Sequence, residues 1–346
     1  MCADAVTLQN RYAARQPLRC VVNPLAPVGA DRFNSEAMRA QTKRIIYVLL
    51  AGAILIVGVA AYLFFQFARS VGSGLAGPAV GRELFSSAWS GRQVLFVGLG
   101  DSVTAGFGAR KGFSYFDRLA KNPADEFSEM NGICLASVFA KFQFTNLAVS
   151  GSTSSEVLAR QLNSLPTNAP DVLGIVVITT GGNDIIHNYG RTPPREEAMY
   201  GASLDAAKPW VENFGRRLES TLAQIENRFP GGCEIFIANI FDPTDGLGDA
   251  ERAGLPAWKD SMPVLDAYNA VIRHAADLHP NFHMVDVHGV FLGHGIHCTQ
   301  FWRGHFDWHD PHYWFFYNLE DPNERGYDVL RRFFLLEMVK NKDRFK

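Results

Sequence analysis

The chain has 346 residues, 47% apolar and 20% charged, with 33 Lys or Arg against 35 Asp or Glu and a net charge of −2. Those proportions suit a packed core and exclude a chain disordered over most of its length. Seven of the bases but only three of the acids fall in residues 1–44, so the remainder is acidic, without the basic runs by which proteins neutralise phosphates; no nucleic-acid partner is expected.

Residues 1–44 hold Pro, Arg and Asn in no periodic pattern and read as a disordered, cytoplasmic tail. Within it Met38 opens "MRAQTKR", which has the form of the basic leader of an export signal and marks a second candidate start of translation. Ile45–Phe67 follows with 23 residues, no charge and a single amide, Gln66. As a helix at about 1.5 Å per residue it is long enough for a hydrocarbon core of about 30 Å. Arg32, Arg39, Lys43 and Arg44 precede it, and only Arg69 and Arg82 follow closely. That bias predicts a single-pass protein with its amino terminus in the cytoplasm and the rest outside, in a periplasm or at the cell surface. The apolar run is longer than a signal-peptide core and lacks a small-x-small cleavage site, so an uncleaved signal-anchor is expected. A Gly-rich connector, residues 68–91, leads to the last unit, 92–346.

That unit alternates strand and helix. Five apolar runs read as strands: Val94–Leu99, Phe142–Ala148, Leu173–Thr179, Glu234–Ile240 and Phe282–Val287. Between them, residues 210–229 place Val211, Phe214, Leu218, Leu222 and Ile225 on one stripe, and residues 263–278 place Leu265, Tyr268, Val271 and Ala275 on another. Regular alternation predicts a mostly parallel five-stranded sheet covered on both faces, with its active crevice at the carboxyl ends of the strands. Segments 188–208 and 242–262, rich in Pro, Gly and charge, read as loops over that crevice. Cys134, Cys233 and Cys298 leave room for one disulfide at most and show no C-x-x-C spacing.

The strand ends carry the chemistry. The first leads into "GDSVTAG", the second into "NLAVSGSTS" and the third into "TTGGNDII". Ser102 offers a hydroxyl, Gly151 a backbone N–H with no side chain in the way, and Asn183 a side-chain amide. A serine attacking an ester carbonyl needs such donors aimed at the developing oxyanion. Each signal alone is also an ordinary turn or helix entry; three in order on three consecutive strand ends point to a site.

Here the sequence resembles the SGNH or GDSL-type hydrolases. Gly100-Asp101-Ser102 with Thr104 and Gly106 resembles their nucleophile block, "NLAVSGSTS" the block with Gly151 as oxyanion donor, and Gly181-Gly182-Asn183-Asp184 the block with Asn183 as the other. The resemblance implies a flavodoxin-like three-layer α/β/α sandwich, preceded here by one transmembrane helix. It further implies hydrolysis of acyl or acetyl esters, with the Ser102 N–H as a third oxyanion donor and no cofactor.

The family's last block is Asp-x-x-His, followed by Pro-Asn and a Gly-Tyr helix start. "EDPNERGY", residues 320–327, resembles that tail, with Asp321 where the histidine belongs. Serine at its ordinary pKa needs a base within hydrogen-bond reach, oriented by a third group. Upstream, "HFDWHDPHYW" offers His312 as base with Asp310, two residues before it, as orienting acid. His309 and Asp307 are the alternatives, and a backbone carbonyl could orient His312 instead. Asp184-x-x-His187 fits the pattern literally but directly follows Asn183 and reads as a helix start.

Six of the ten histidines lie between 288 and 312, beside Cys298. None has the His-Glu-x-x-His spacing of a helical zinc site, and no metal is expected. The aromatics from Trp302 to Tyr317 read mostly as packing for the last helix, with one or two lining an acyl or sugar pocket. The sequence thus predicts an exported, membrane-anchored serine esterase acting on an ester-bearing small molecule, lipid or glycan. The alternative is a catalytically silent or acyl-transferring protein acting on an envelope glycan.

Overall fold

The computed structural model describes residues 30–346; of the tail predicted for residues 1–44, residues 1–29 lie outside the described residues. The chain divides between Ala60 and Ala61 into two compact units. Helix α1, Ala30–Phe67, contains the apolar run. It begins before Ile45 because Glu36, Met38, Arg39, Ala40, Gln41 and Lys43 are good helix formers. Its Ser35–Phe67 portion is long and apolar enough to cross a membrane.

The second unit is built on five parallel strands: β1 (Ser90–Gly100), β2 (Phe139–Asn146), β3 (Val172–Thr179), β4 (Cys233–Ala238) and β5 (Phe282–Val285), in spatial order β2-β1-β3-β4-β5. The chain leaves β1 for the edge position of β2, then crosses back to place β3 on the other side of β1. Connections therefore diverge above β1 and β3 and leave a crevice at their carboxyl ends. Register sets Gly100 opposite Thr179 at that rim.

Alternation along the strands feeds two cores. Val94 and Phe96 of β1, with Leu173, Ile175 and Val177 of β3, face helix α4 (Glu324–Lys340) and its Phe334 and Leu335. Val97 and Leu99, with Val176 and Ile178, face the other way. There they meet Phe214, Leu218 and Ile225 of α2 (Leu204–Arg228) and Tyr268 and Ile272 of α3 (Ser261–Leu278). Each such side chain contributes about 1.5–3 kcal/mol on burial. The chain is an α/β three-layer protein, as its sequence predicts.

The differences lie at element ends, where polar side chains capture the backbone. Ser203 Oγ accepts from Ala206 N (3.2 Å) and starts α2 inside the predicted loop 188–208. β2 stops at Asn146, whose Oδ1 takes the Ala148 N–H (3.1 Å). β4 stops short of Ile240 because the Asn269 carboxamide takes both the N–H (2.7 Å) and the C=O (2.9 Å) of Ile240. β5 stops at Val285 because Asp286 caps the next short helix. Cys134, Cys233 and Cys298 are free and buried.

Candidate active site

Gly100 ends β1 with φ +120°, and a Cβ there would lie 1.9 Å from Thr179 O; glycine is the residue that permits this approach. Gln161 fixes the Gly100 peptide from both sides, accepting from its N–H and donating to its C=O, each at 2.7 Å. Asp101 then caps the short helix Ser102–Ala105 by accepting from Val103 N (3.1 Å), and receives the Thr179 hydroxyl (2.6 Å). Burial pushes its carboxyl up to about 7, against the pull of the Thr179 and Val103 hydrogen bonds. Ser102 thereby becomes the first residue of a helix at the rim of the sheet.

The second and third blocks are tied together under this rim. Asp184, fully buried, accepts from Ser154 N at 2.9 Å, from Ser154 Oγ and from Arg217 at 3.2 Å. Burial raises its pKa to about 6, opposed by Ser154 and Arg217. Asn183 Nδ2 donates to Ser152 O (3.0 Å), which orients the carboxamide and leaves its second N–H. Gly151 sits in the left-handed region (φ +84°) with open space where a Cβ would be, and its N–H donates to no group among the described residues.

Ser102 and Asn183 line a cavity of about 400 Å³ whose other walls are mainly apolar, among them Ile186, Ile240, Trp258 and Leu265. Asn318, Leu319 and Glu320 line it from the far side. Asp321, next in sequence, is 1% exposed. Its carboxyl is raised by burial and lowered by hydrogen bonding from Ser102 and Asn318. Asn318 Nδ2 donates to Oδ2 at 2.7 Å, and the buried Oδ1 completes no hydrogen bond. Leu319, between them, is held at φ +69°, a conformation that costs a branched residue energy and recurs at functional sites. Glu320 is pushed up to about 7 by burial and by the adjacent Asp321.

The histidine candidates lie elsewhere. His312 Nδ1 pairs with Asp310 Oδ1, and Asp310 Oδ2 accepts from Arg325 and from Trp314 Nε1 (3.2 Å). The His312 ring covers Gly72, where a Cβ would meet it at 2.7 Å. Arg325 also holds the connector through Ser73 O (2.8 Å) and Leu75 O (2.9 Å). So the structure joins His312 to Asp310, but around the connector; neither residue lines the cavity that holds Ser102. Asp310 is also engaged by Arg325, and the cluster clamps residues 70–75 to the domain. His309 is exposed and its backbone N–H is taken by Asp307 (2.8 Å).

The remaining histidines are dispersed. His288 meets Ile240 O, His294 stacks on Trp314 and His297 meets Asp249. Among the described residues no three His, Cys, Asp or Glu converge on a point that could hold a metal.

Residues 99–329, which contain the nucleophile block, both oxyanion blocks and the modified tail, match the GDSL-like lipase/acylhydrolase family. The chain belongs to this family. It is accordingly an ester-hydrolysing enzyme. Several solved structures are similar to it. An extracellular lipase from Streptomyces rimosus is 21% identical, covering 72% of this chain and 98% of its own (TM-score 0.45). A phospholipase A1 from Streptomyces albidoflavus NA297 is 23% identical over 73% and 100% (TM-score 0.44). An acetylxylan esterase from Geobacillus stearothermophilus is 18% identical over 72% and 94% (TM-score 0.45). No curated protein matches the chain.

Within this GDSL hydrolase the sequence hides two parts of the site. Gln161, which fixes the Gly100 peptide, lies in a helical stretch with no motif to mark it. Asn318 stands three residues before Asp321, so the block reads Asn-x-x-Asp in place of Asp-x-x-His; the spacing was the available signal.

Proposed function

We propose that the protein is a membrane-anchored serine esterase in which Ser102 is the nucleophile and Asp321 its base. The observation that carries this reading is the buried carboxyl of Asp321, whose Oδ1 completes no hydrogen bond and which interacts with the Ser102 side chain. A carboxylate whose pKa is raised by burial is a stronger proton acceptor than one in water. Asn318, holding Oδ2, takes the positioning role that the family's aspartate plays for histidine. Nucleophile–base contacts of this kind tighten around bound substrate.

In the proposed reaction the Ser102 Oγ forms a bond to the ester carbonyl carbon while its proton passes to Asp321 Oδ1. The Ser102 and Gly151 N–H groups and the free N–H of Asn183 take the oxyanion. The carbon–oxygen bond to the alcohol breaks as Asp321 returns the proton to the leaving oxygen. Water then reverses the sequence on the acyl-enzyme and releases the acid. The apolar cavity suits an acyl chain. The α1 segment fixes the enzyme in a membrane, with the basic residues before Ile45 in the cytoplasm and the hydrolase unit outside.

The test is turnover of a short-chain chromogenic ester by the full chain in detergent. Wild type turns over, Ser102→Ala and Asp321→Asn lose turnover, and His312→Ala keeps it. Loss in His312→Ala with retention in Asp321→Asn returns the base to His312. A folded wild type without turnover leaves the silent or acyl-transferring alternative.

A further inference from the structure

The end of α1 is bonded to the hydrolase unit at two places. Phe65 O accepts from Gln300 Nε2 (3.0 Å), and the Phe65 ring meets Phe301 and Trp302 edge-on at 5.5 and 5.0 Å. One residue on, Gln66 Oε1 accepts from Arg252, whose carbonyl in turn accepts from Arg69 (3.2 Å). Both contacts lie inside the second unit, which begins at Ala61.

Around the first contact the loop 300–308 carries an aromatic cluster that is largely exposed. Phe301 and Trp302 are each 50% exposed and Trp308 is 73% exposed, and Trp308 touches Phe301 and Phe306. Arg303, exposed among them, bonds Gln300. Exposed tryptophan and phenylalanine beside arginine, at the end of an apolar helix, is the composition that settles at the level of lipid head groups.

The second contact leads to the catalytic cavity. Arg252 belongs to the turn Ala250–Ala253, and Gly248, Ala250 and Ala253 of the same stretch line the cavity that holds Ser102. Leu247, just before it, is 41% exposed. One wall of the cavity is therefore pinned to the residues at which α1 leaves its apolar stretch.

We infer that loop 300–308 and the end of α1 form a face seated in the interface of the bilayer that α1 crosses. It brings the cavity wall at 248–253 to that interface, so the ester cleaved is an acyl ester of a lipid in the same leaflet. The inference rests on the reading of α1 as a span and of Ser102 as the esterase site, and it names the occupant of the face and the source of the substrate.

The test uses the full chain in vesicles of phosphatidylcholine with phosphatidylglycerol. It compares wild type with the variant carrying Phe301→Ser, Trp302→Ser and Trp308→Ser. Three readings are taken: quenching of tryptophan fluorescence by lipids labelled near the head group, release of fatty acid from the vesicle lipids, and turnover of a water-soluble acetate ester. The inference predicts quenching in wild type, which is read there alone because the variant lacks the two reporting tryptophans. It also predicts a drop of about tenfold in fatty-acid release, as removal of interfacial aromatics weakens seating, with soluble-ester turnover unchanged. Absence of quenching, or fatty-acid release that is absent or insensitive to the substitutions while the soluble ester is hydrolysed, overturns it. Failure of the soluble ester in wild type refutes the Ser102 reading instead, and quenching alone then decides the seated face.

Discussion

Asn318 Nδ2 donates to Asp321 Oδ2 at 2.7 Å, leaving Oδ1 of the same buried carboxyl without a hydrogen bond. The bond fixes which oxygen is spent and which is free. A buried acceptor without a partner costs about 1–3 kcal/mol, and the proposed role of this carboxyl as the base for Ser102 accounts for its retention.

From this pair follows a pH dependence. The base form of Asp321 is the anion, so kcat/KM rises as pH increases through the carboxyl's pKa, which burial holds above the usual aspartate range. Glu320 beside it also titrates high, at about 7, so the limb belongs to the coupled pair. Asp321→Asn loses about 10²–10⁴ in kcat, the usual worth of a positioned base. Asp321→His restores part of that activity, with the limb near ~6.5. A pH–rate profile of the three proteins checks both statements.

Asn183→Ala removes one oxyanion donor while Gly151 and the Ser102 N–H remain. The expected loss is about 10²–10³ in kcat with little change in KM, since the bond is made in the transition state. Steady-state kinetics on a soluble ester measures the split.

His312→Ala and Asp310→Ala release the clamp on residues 70–75. Loss of a hydrogen bond to a charged group costs about 1.5–3 kcal/mol, seen as a lower melting temperature and faster proteolysis within the connector. Neither substitution brings the 10²–10⁴ loss in kcat expected of a base (order of magnitude, about).

Stability in acid rests on a buried ion cluster. Burial acts to raise the pKa of Glu126, but hydrogen bonds from Arg118 and Arg331 outweigh it and hold it at about 2. A carboxyl depressed in the folded state contributes fully above its unfolded pKa, near ~4.5. That contribution is lost as pH falls toward about 2. Acid unfolding followed by circular dichroism shows the loss in wild type. Glu126→Gln, which leaves two buried guanidiniums short of a partner, costs about 3–5 kcal/mol near neutral pH.

The sheet was legible because its strands are near-continuous apolar runs separated by amphipathic helices, a pattern that few other folds bury. The blocks around Ser102 and Asn183 stood out in the sequence through glycines at close approaches, where a Cβ on Gly100 would lie 1.9 Å from Thr179 O and one on Gly181 3.0 Å from Ile240, whereas Gly151 stood out by its motif alone. Element ends were less so, since Asn146, Asn269 and Ser203 act through hydrogen bonds that composition does not reveal. The surroundings of the His312–Asp310 pair were not legible, because its partner Arg325 comes from another element. Asp321 stands where the family's histidine belongs, and the role proposed for it depends on burial and on Asn318, both properties of the folded chain.

The central claim is that Ser102 is a nucleophile activated by Asp321. The most direct measurement is the rate at which an organophosphonate ester labels the full chain, read by intact mass and peptide mapping in wild type, Asp321→Asn and His312→Ala. The account predicts a single adduct on Ser102, formed at similar rates in wild type and His312→Ala and much more slowly in Asp321→Asn. Labelling that is unaffected in Asp321→Asn, or an adduct on any residue other than Ser102, contradicts it.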